Sequence, residues 1–432
     1  MEALLVLLAF LEKKIRKFWS SPVSRNAAGL YILQFSSFIL PLLVLPYLAR
    51  VLQPEALGRV AFFQSFALWF SMLIEYGFNL SATREVTSLR GKVALLAEYT
   101  AKVQGAKMIL LILSLSVFPI IILLIPLVRE NYVYTVWALL QSLAFGFSPY
   151  WYFQGTERLL KPVMLEALAR VTTTLSVFIF VIQPEDGWKV IAAQAIAGLF
   201  TTILPSYWMY KEIGWARLNY RDSIQLLRQG WSMFTLRSIQ SLYTSTNAFI
   251  LGIFASPVSV GYFSGSERLY RAITGLSTPA LQALYPYLNR LNVENPNVSR
   301  QVFIRILFVT IGASLTVSLS VLFAAPKLIQ VVLGPGYELA TPVLRILALA
   351  IPINLVSTTV IMLRLLPEHL EATAGKLVLT GGVVNILLAA LLVPRVQQIG
   401  MSWAVVAAEL TIFTGVVLYL FPRLKERKEV SE

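Results

Sequence analysis

Apolar stretches about 20 residues long alternate with short polar turns along the chain, at 28–48, 58–78, 108–127, 131–151, 163–182, 188–210, 231–254, 260–288, 302–324, 340–366, 373–393 and 399–421. Each is long enough, as a helix, to cross a hydrocarbon layer roughly 30 Å thick. The pattern predicts an all-α polytopic membrane protein with twelve transmembrane helices. The short alternating strands of a β-barrel are not seen. A further apolar run at the N-terminus, MEALLVLLAF, is too short to span and is followed by Lys13, Lys14, Arg16 and Lys17. A secretory signal has the opposite charge order. Residues 3–19 read as an amphipathic helix on the inner membrane surface, with a frayed tail as the alternative.

The polar turns differ in charge. Alternate turns, counted from the N-terminal tail, hold about 23 Lys and Arg, Lys107 among them, against about six in the intervening set. Positive charge marks the cytoplasmic face, so both termini are expected inside. The net charge of +14 is then mostly topological, and a nucleic-acid partner is not implied. The outer turns are too short to hold a catalytic domain.

One stretch recurs. PYLARVLQPEALGRVAFFQSF around the first outer turn is matched by FILGIFASPVSVGYFSGSERL. In both, an apolar span ends, a proline follows (Pro54, Pro257), a glycine stands four residues on (Gly58, Gly261), and an aromatic-rich helix begins. The spacing lays spans 1–2 over spans 7–8. It predicts two six-helix bundles related by a pseudo-two-fold axis, over 28–220 and 221–422, with 1–27 as an interfacial segment and 423–432 as a cytoplasmic tail. Chance likeness between two hairpins is the alternative.

Several charges fall inside spans, where each costs roughly 2.5–3.5 kcal/mol near the bilayer centre. Arg268 and Arg271 are three apart on span 8, and Glu267 can reach Arg271. Arg237 lies in span 7, Arg170 in span 5 one turn after Glu166, Arg345 in span 10 and Glu409 in span 12. Snorkelling accounts well for Arg305 and Lys376 and fairly for Arg345, but poorly for the deeper Arg268 and Arg271. Polar stripes on span 7, from Arg237 to Asn247, and on span 8, from Ser264 to Thr278, point to a hydrated vestibule. Guanidinium forks there suit phosphate or carboxylate ligands. A buried ion pair with Glu267 is the competing reading. Prolines at 41, 46, 119, 149, 205, 279, 286 and 352 are either hinges or simply tolerated.

Composition removes other chemistry. The chain has 432 residues, a mean hydropathy of +0.71, no cysteine and one histidine, His369, in a polar turn. Thiol nucleophiles and His- or Cys-based metal centres are excluded, and no GxxxxGK[ST] phosphate loop occurs. Neither metal nor cofactor is expected.

The stretches PYLARVLQPEALGRVAFFQS, EYGFNLSATREV (75–86) and SPYWYFQGTER (148–158), with Asn26 before span 1, resemble the Wzx-type polysaccharide (O-antigen) flippases. These belong to the multidrug/oligosaccharidyl-lipid/polysaccharide exporter superfamily. The likeness extends over the whole chain and implies the MATE-like fold. It also implies movement of an oligosaccharide on undecaprenyl pyrophosphate from the inner to the outer leaflet of the bacterial inner membrane, by alternating access and without ATP hydrolysis by the protein. Expected partners are that lipid-linked oligosaccharide, membrane lipids, and a polysaccharide polymerase or chain-length machinery.

On that reading Arg268, Arg271, Arg237, Arg170 and Arg345 bind substrate. Glu267, Asn247, Tyr243, Tyr270, Asn79 and Arg84 line or gate the path, with helix capping and an ordinary inside cation as the alternative for the last two. Glu166, Glu267 and Glu409 are candidates for ion coupling, although a Glu beside an Arg is usually its ion partner. The lipid II flippases of that superfamily carry two further helices and a first-span arginine. Span 1 here is uncharged between Ala28 and Ala49. An ion-coupled small-molecule exporter and a membrane glycan polymerase or glycosyltransferase are the alternatives.

Overall fold

The computed structural model describes the backbone of residues 22–429 and the side chains of 40–231, 234 and 246–419. The expected interfacial helix at 3–19 lies outside the described residues. Among those described, every regular element is helical. In chain order they are α1 (Pro22–Glu75), α2 (Phe78–Ser88), α3 (Val93–Leu124), α4 (Pro126–Glu130), α5 (Tyr132–Phe147), α6 (Tyr150–Gly155), α7 (Leu160–Phe180) and α8 (Gly187–Ile213). There follow α9 (Tyr220–Ser245), α10 (Asn247–Phe254), α11 (Pro257–Gly275), α12 (Thr278–Glu294), α13 (Pro296–Val332), α14 (Ala340–Val360) and α15 (Glu371–Glu429). Seven helical stretches among the described residues are long and apolar enough to cross a membrane.

Two of those seven, Leu40–Ser88 and Glu371–Tyr419, are broken within. α1 breaks at Gln53 (φ 59°, ψ 172°) and α15 at Val396 and Gln397 (φ 47° for the latter). These breaks fall in the turns expected after spans 1 and 11. Elsewhere the sequence expectation is corrected. Span 7 divides at Thr246 into α9 and α10, and span 8 ends at Gly275 rather than running to 288. Pro279 in the first turn of α12 explains the second break: its ring fits a helix start, whereas mid-helix it would remove a hydrogen bond.

The chain forms two compact units: residues 1–41, 70–180 and 189–235 in one, and 42–69, 181–188 and 236–432 in the other. In the first, Tyr76 (φ 51°) and Gly77 (φ 79°) turn the chain sharply between α1 and α2. Glu75 then caps the new helix from upstream. Its carboxylate accepts from the N–H groups of Gly77 (3.1 Å) and Asn79 (2.7 Å), which would otherwise lack partners at a helix start. α2 packs on α6 with nothing to spare. A methyl group on Gly155 would come within 2.7 Å of the Val86 side chain and 2.8 Å of Thr83 O. Thr83 Oγ1 donates to Trp151 O at 3.2 Å, and Arg90 donates to Thr156 O at 2.8 Å. Trp151, Tyr152 and Phe78 fill the core beneath.

In the second unit, residues 42–69 pack among the helices of the C-terminal part. Phe62 meets Phe63, Phe66 and Phe249 with ring centroids 5.1, 6.5 and 5.5 Å apart. A methyl group on Gly252 would overlap the Phe62 ring. The two recurring sequence stretches meet here, reciprocally. A methyl on Gly58 would overlap Pro257 O and lie 2.8 Å from Gly261 N; one on Gly261 would overlap Pro54 O and lie 2.8 Å from Pro54 C. Ser256 Oγ and Pro257 start α11 as N-cap and first-turn residue.

Gly155→Val is expected to pry α2 from α6 and cost about 1–3 kcal/mol. The same change at Gly312, where nothing lies within 4 Å of an added methyl, leaves stability nearly unaltered. Thermal unfolding of the purified protein in detergent distinguishes the two.

Candidate functional site

α11 carries the densest group of expected residues. Asn247 Nδ2 donates to Glu267 Oε1 at 2.7 Å, and Arg271 Nη2 donates to the same oxygen at 2.7 Å. The Glu267 side chain is 12% exposed and that of Arg271 is 41% exposed, so the carboxylate is sheltered while the guanidinium keeps an open side. Arg268 Nη2 donates to Gln64 Oε1 at 2.8 Å. Gln64 is neutral. It orients the Arg268 fork without cancelling its charge.

A second polar group sits on the next face of α11. Tyr270 OH donates to Glu409 Oε1 at 3.2 Å, and Asn354 Nδ2 donates to the same oxygen at 2.8 Å. Glu409 is 3% exposed. α11 thus links α10, α1 and α15 through side-chain hydrogen bonds made by Glu267, Arg268 and Tyr270, and Asn354 of α14 joins them through Glu409. Near the far end of the helix, buried Tyr337 donates to Ala49 O at 3.2 Å. Burial, opposed by Arg268, raises the Tyr337 phenol above its usual range, so it remains a donor.

The other expected residues stand apart from this group. Arg170 pairs with Glu166 on its own helix at 2.6 Å, in the first unit. Arg345 is exposed and its Nε donates to Leu322 O at 3.3 Å. Arg84 is exposed on α2, and Asn79 contributes its N–H to the Glu75 cap while its own Oδ1 is buried without a hydrogen-bond partner. Arg237 and Tyr243 lie outside the described side chains.

Three residues escaped the sequence reading. Gln64 was legible in the repeat: it stands six residues after Gly58, as Glu267 stands six after Gly261. Asn354 offered no signal, being one amide in an apolar helix. Lys107 was counted with the inner loops and is instead wholly buried within α3. Its Nζ lies 3.4 Å from Ser148 O and within electrostatic reach of Glu75. Lys107 therefore ties together the two stretches 75–86 and 148–158 on which the family resemblance rests.

Lys107→Ala removes a buried cation within electrostatic reach of Glu75, whose carboxylate keeps its donors Gly77 N–H and Asn79 N–H, and about 1–3 kcal/mol of stability should be lost. Replacing both charges, Glu75→Gln with Lys107→Met, should recover most of that loss. Thermal unfolding of the two single variants and the double variant measures the coupling.

The model of the family described as "Polysaccharide biosynthesis protein" matches residues 23–292. The chain is 28% identical over 405 residues to a protein of Escherichia coli (strain K12) named "Putative O-antigen transporter", with 92% of this chain and 96% of that protein covered. It is 25% identical over 402 residues to one of the same name from Shigella dysenteriae, covering 92% and 98%. Among solved structures it is similar to the lipid II flippase MurJ in its inward closed conformation, with a TM-score of 0.70, 16% identity, and 90% and 87% of the two chains covered. It is also similar to an inward-facing multidrug resistance MATE family transporter, with a TM-score of 0.58, 15% identity, and coverage of 94% and 100%. At these identities the structures bear on fold alone, and that fold is the one the sequence resemblance implied. The family match extends across more than half of the sequence, and the chain belongs to the polysaccharide biosynthesis protein family.

Proposed function

We propose that this protein is a flippase that moves a lipid-linked oligosaccharide from the cytoplasmic to the outer leaflet of the bacterial inner membrane, and that it is a transporter rather than an enzyme. The carrier is undecaprenyl pyrophosphate. The observation that carries the reading is the pair of guanidinium groups on α11, one held by a neutral amide and the other half-open beside its carboxylate. Such groups are costly in hydrocarbon and suited to a pyrophosphate or acidic sugar passing through a hydrated path. The lipid tail stays in the bilayer. The family match and the O-antigen transporter relatives agree with this substrate class.

Twelve spans in two six-helix halves, 28–220 and 221–422, fit the breaks at Gln53 and Gln397, each of which divides one long apolar stretch into two. The reciprocal contact of the two glycines is what a pseudo-two-fold axis produces, because equivalent surfaces then meet one another. Both termini lie in the cytoplasm by the distribution of Lys and Arg. The halves expose the α11 site alternately to each face. Glu166, Glu267 and Glu409 are the candidates for ion coupling; Glu409 is buried and accepts from Tyr270 and Asn354, and Glu267 and Glu166 each pair with an arginine of their own helix. A polysaccharide polymerase or chain-length machinery takes the product at the outer face.

Purified protein in vesicles is expected to change the sidedness of a lipid-linked oligosaccharide. Arg268→Ala and Arg271→Ala should each reduce that rate about tenfold or more with insertion unchanged, and Lys at either position should restore it only in part. Unaltered sidedness together with efflux of soluble compounds would favour a small-molecule exporter.

A further inference from the structure

The turns assigned to the outer face by charge converge in the second unit. Beyond the glycine contact, Tyr47 OH donates to Val181 O at 2.7 Å, Arg50 Nη2 to Val331 O, Ser259 Oγ to Gln397 Oε1, and Tyr337 OH to Ala49 O. A methyl on Gly334 would lie 3.0 Å from Arg50 Cγ, and one on Gly336 3.3 Å from Gln53 Oε1. Segments 42–69 and 181–188, which lie early in the chain, thus belong to the same compact unit as the C-terminal part.

At the centre of this network backbone meets backbone. Gly58 and Gly261 are the positions where the second part of α1 and α11 come too close for any side chain. From Pro54 and Pro257 both helices run inward, and Gln64 and Arg268 join them again further along.

We infer that the reciprocal contact of the two Pro-x-x-x-Gly corners, Pro54–Gly58 against Pro257–Gly261, is the outer seal of the transport path, closed in this structure and parted when the site opens outward. The physical argument is that the contact is matched but shallow. At the corners themselves two glycines and two proline carbonyls meet with no side chain between them, the interlocking rings of Phe62 and Phe249 lying further inward, and the latches around them are single hydrogen bonds, about 1 kcal/mol net for a neutral pair and about 1.5–3 kcal/mol for Arg50. An interface of this kind holds in one state and releases in another, and any added side chain should favour the released state. The inference rests on the transporter reading for its purpose, but its test needs no substrate.

The chain has no cysteine, so one introduced thiol reports alone. Ser65→Cys places it two turns inward of Gly58 on the same helix face. In right-side-out vesicles a membrane-impermeant maleimide should label this cysteine slowly from outside. Adding Gly58→Val should raise the outside labelling rate about tenfold or more. Gly261→Ala, a milder change in the opposite corner, should act in the same direction. Gly312→Val, on open ground, should leave the rate as it was. Fast outside labelling of Ser65→Cys alone overturns the seal. So does protection that persists in both glycine variants while gel filtration shows folded protein. The expected labelling pattern with no change in lipid-linked sugar sidedness would count against the flippase reading and for the seal.

Discussion

A charge placed in hydrocarbon or dry protein must find a partner, and that requirement organises this molecule more than its apolar residues do. The apolar surface is nearly uniform along the chain and would tolerate many packings. The charged side chains would not. Lys107 is fixed between Ser148 and Glu75, and Glu75 in turn caps α2. Arg170 holds Glu166, and Arg271 holds Glu267 with help from Asn247. Each pair pins one helix to another or to its own next turn, so that the arrangement of greasy segments becomes specific. A membrane offers little hydrophobic drive for one helix to prefer another, and polar contacts and close packing of small residues take over that work.

Close packing is the second device, and its sites are distinct from the charges. Gly58 and Gly261 let helices of the second unit approach to backbone distance, Gly252 makes room for the Phe62 ring, and Gly155 brings α6 against α2 in the first. At two of the points where one helix gives way to the next, Thr246 and Gln397, side chains meet other segments. Thr246 Oγ1 accepts from Trp69 Nε1 at 3.0 Å, and Gln397 accepts from Ser259. The irregular points are therefore also points of contact, consistent with the rule that non-helical backbone at membrane depth is tolerated only inside protein or beside water.

The all-helical, membrane-spanning character was legible because bilayer thickness imposes a length on apolar runs, and the composition of a span follows from it. The breaks were less legible. Pro54 and Pro257 announce helix starts, but the interruption at Thr246 carries no proline or glycine, and its hydroxyl is held by a tryptophan 177 residues earlier in the chain, which no local pattern contains. Lys107 was misread because a cation near the inner end of a span looks the same whether it reaches water or turns inward. The α11 arginines stood out by depth, and Glu267 by spacing. Gln64 stood out only through the repeat, and Asn354 not at all, since an amide is common in any helix and its role depends on a partner 55 residues away.

The repeat also explains the charge of the site. Gln64 and Glu267 occupy equivalent places, each six residues past its glycine. Had both been glutamates, Arg268 and Arg271 would each face a carboxylate and the group would be neutral. With an amide on one side, Arg268 is oriented but not neutralised, and one positive charge remains uncancelled among Arg268, Arg271 and Glu267. An anionic headgroup can complete that balance. It must displace only an amide hydrogen bond at Arg268, worth about 1.5–3 kcal/mol to a charged group, rather than break a sheltered ion pair at a cost of about 3–5 kcal/mol. On the proposed flippase reading, this one difference between the two matched stretches would set both the sign of the ligand and the ease with which it leaves.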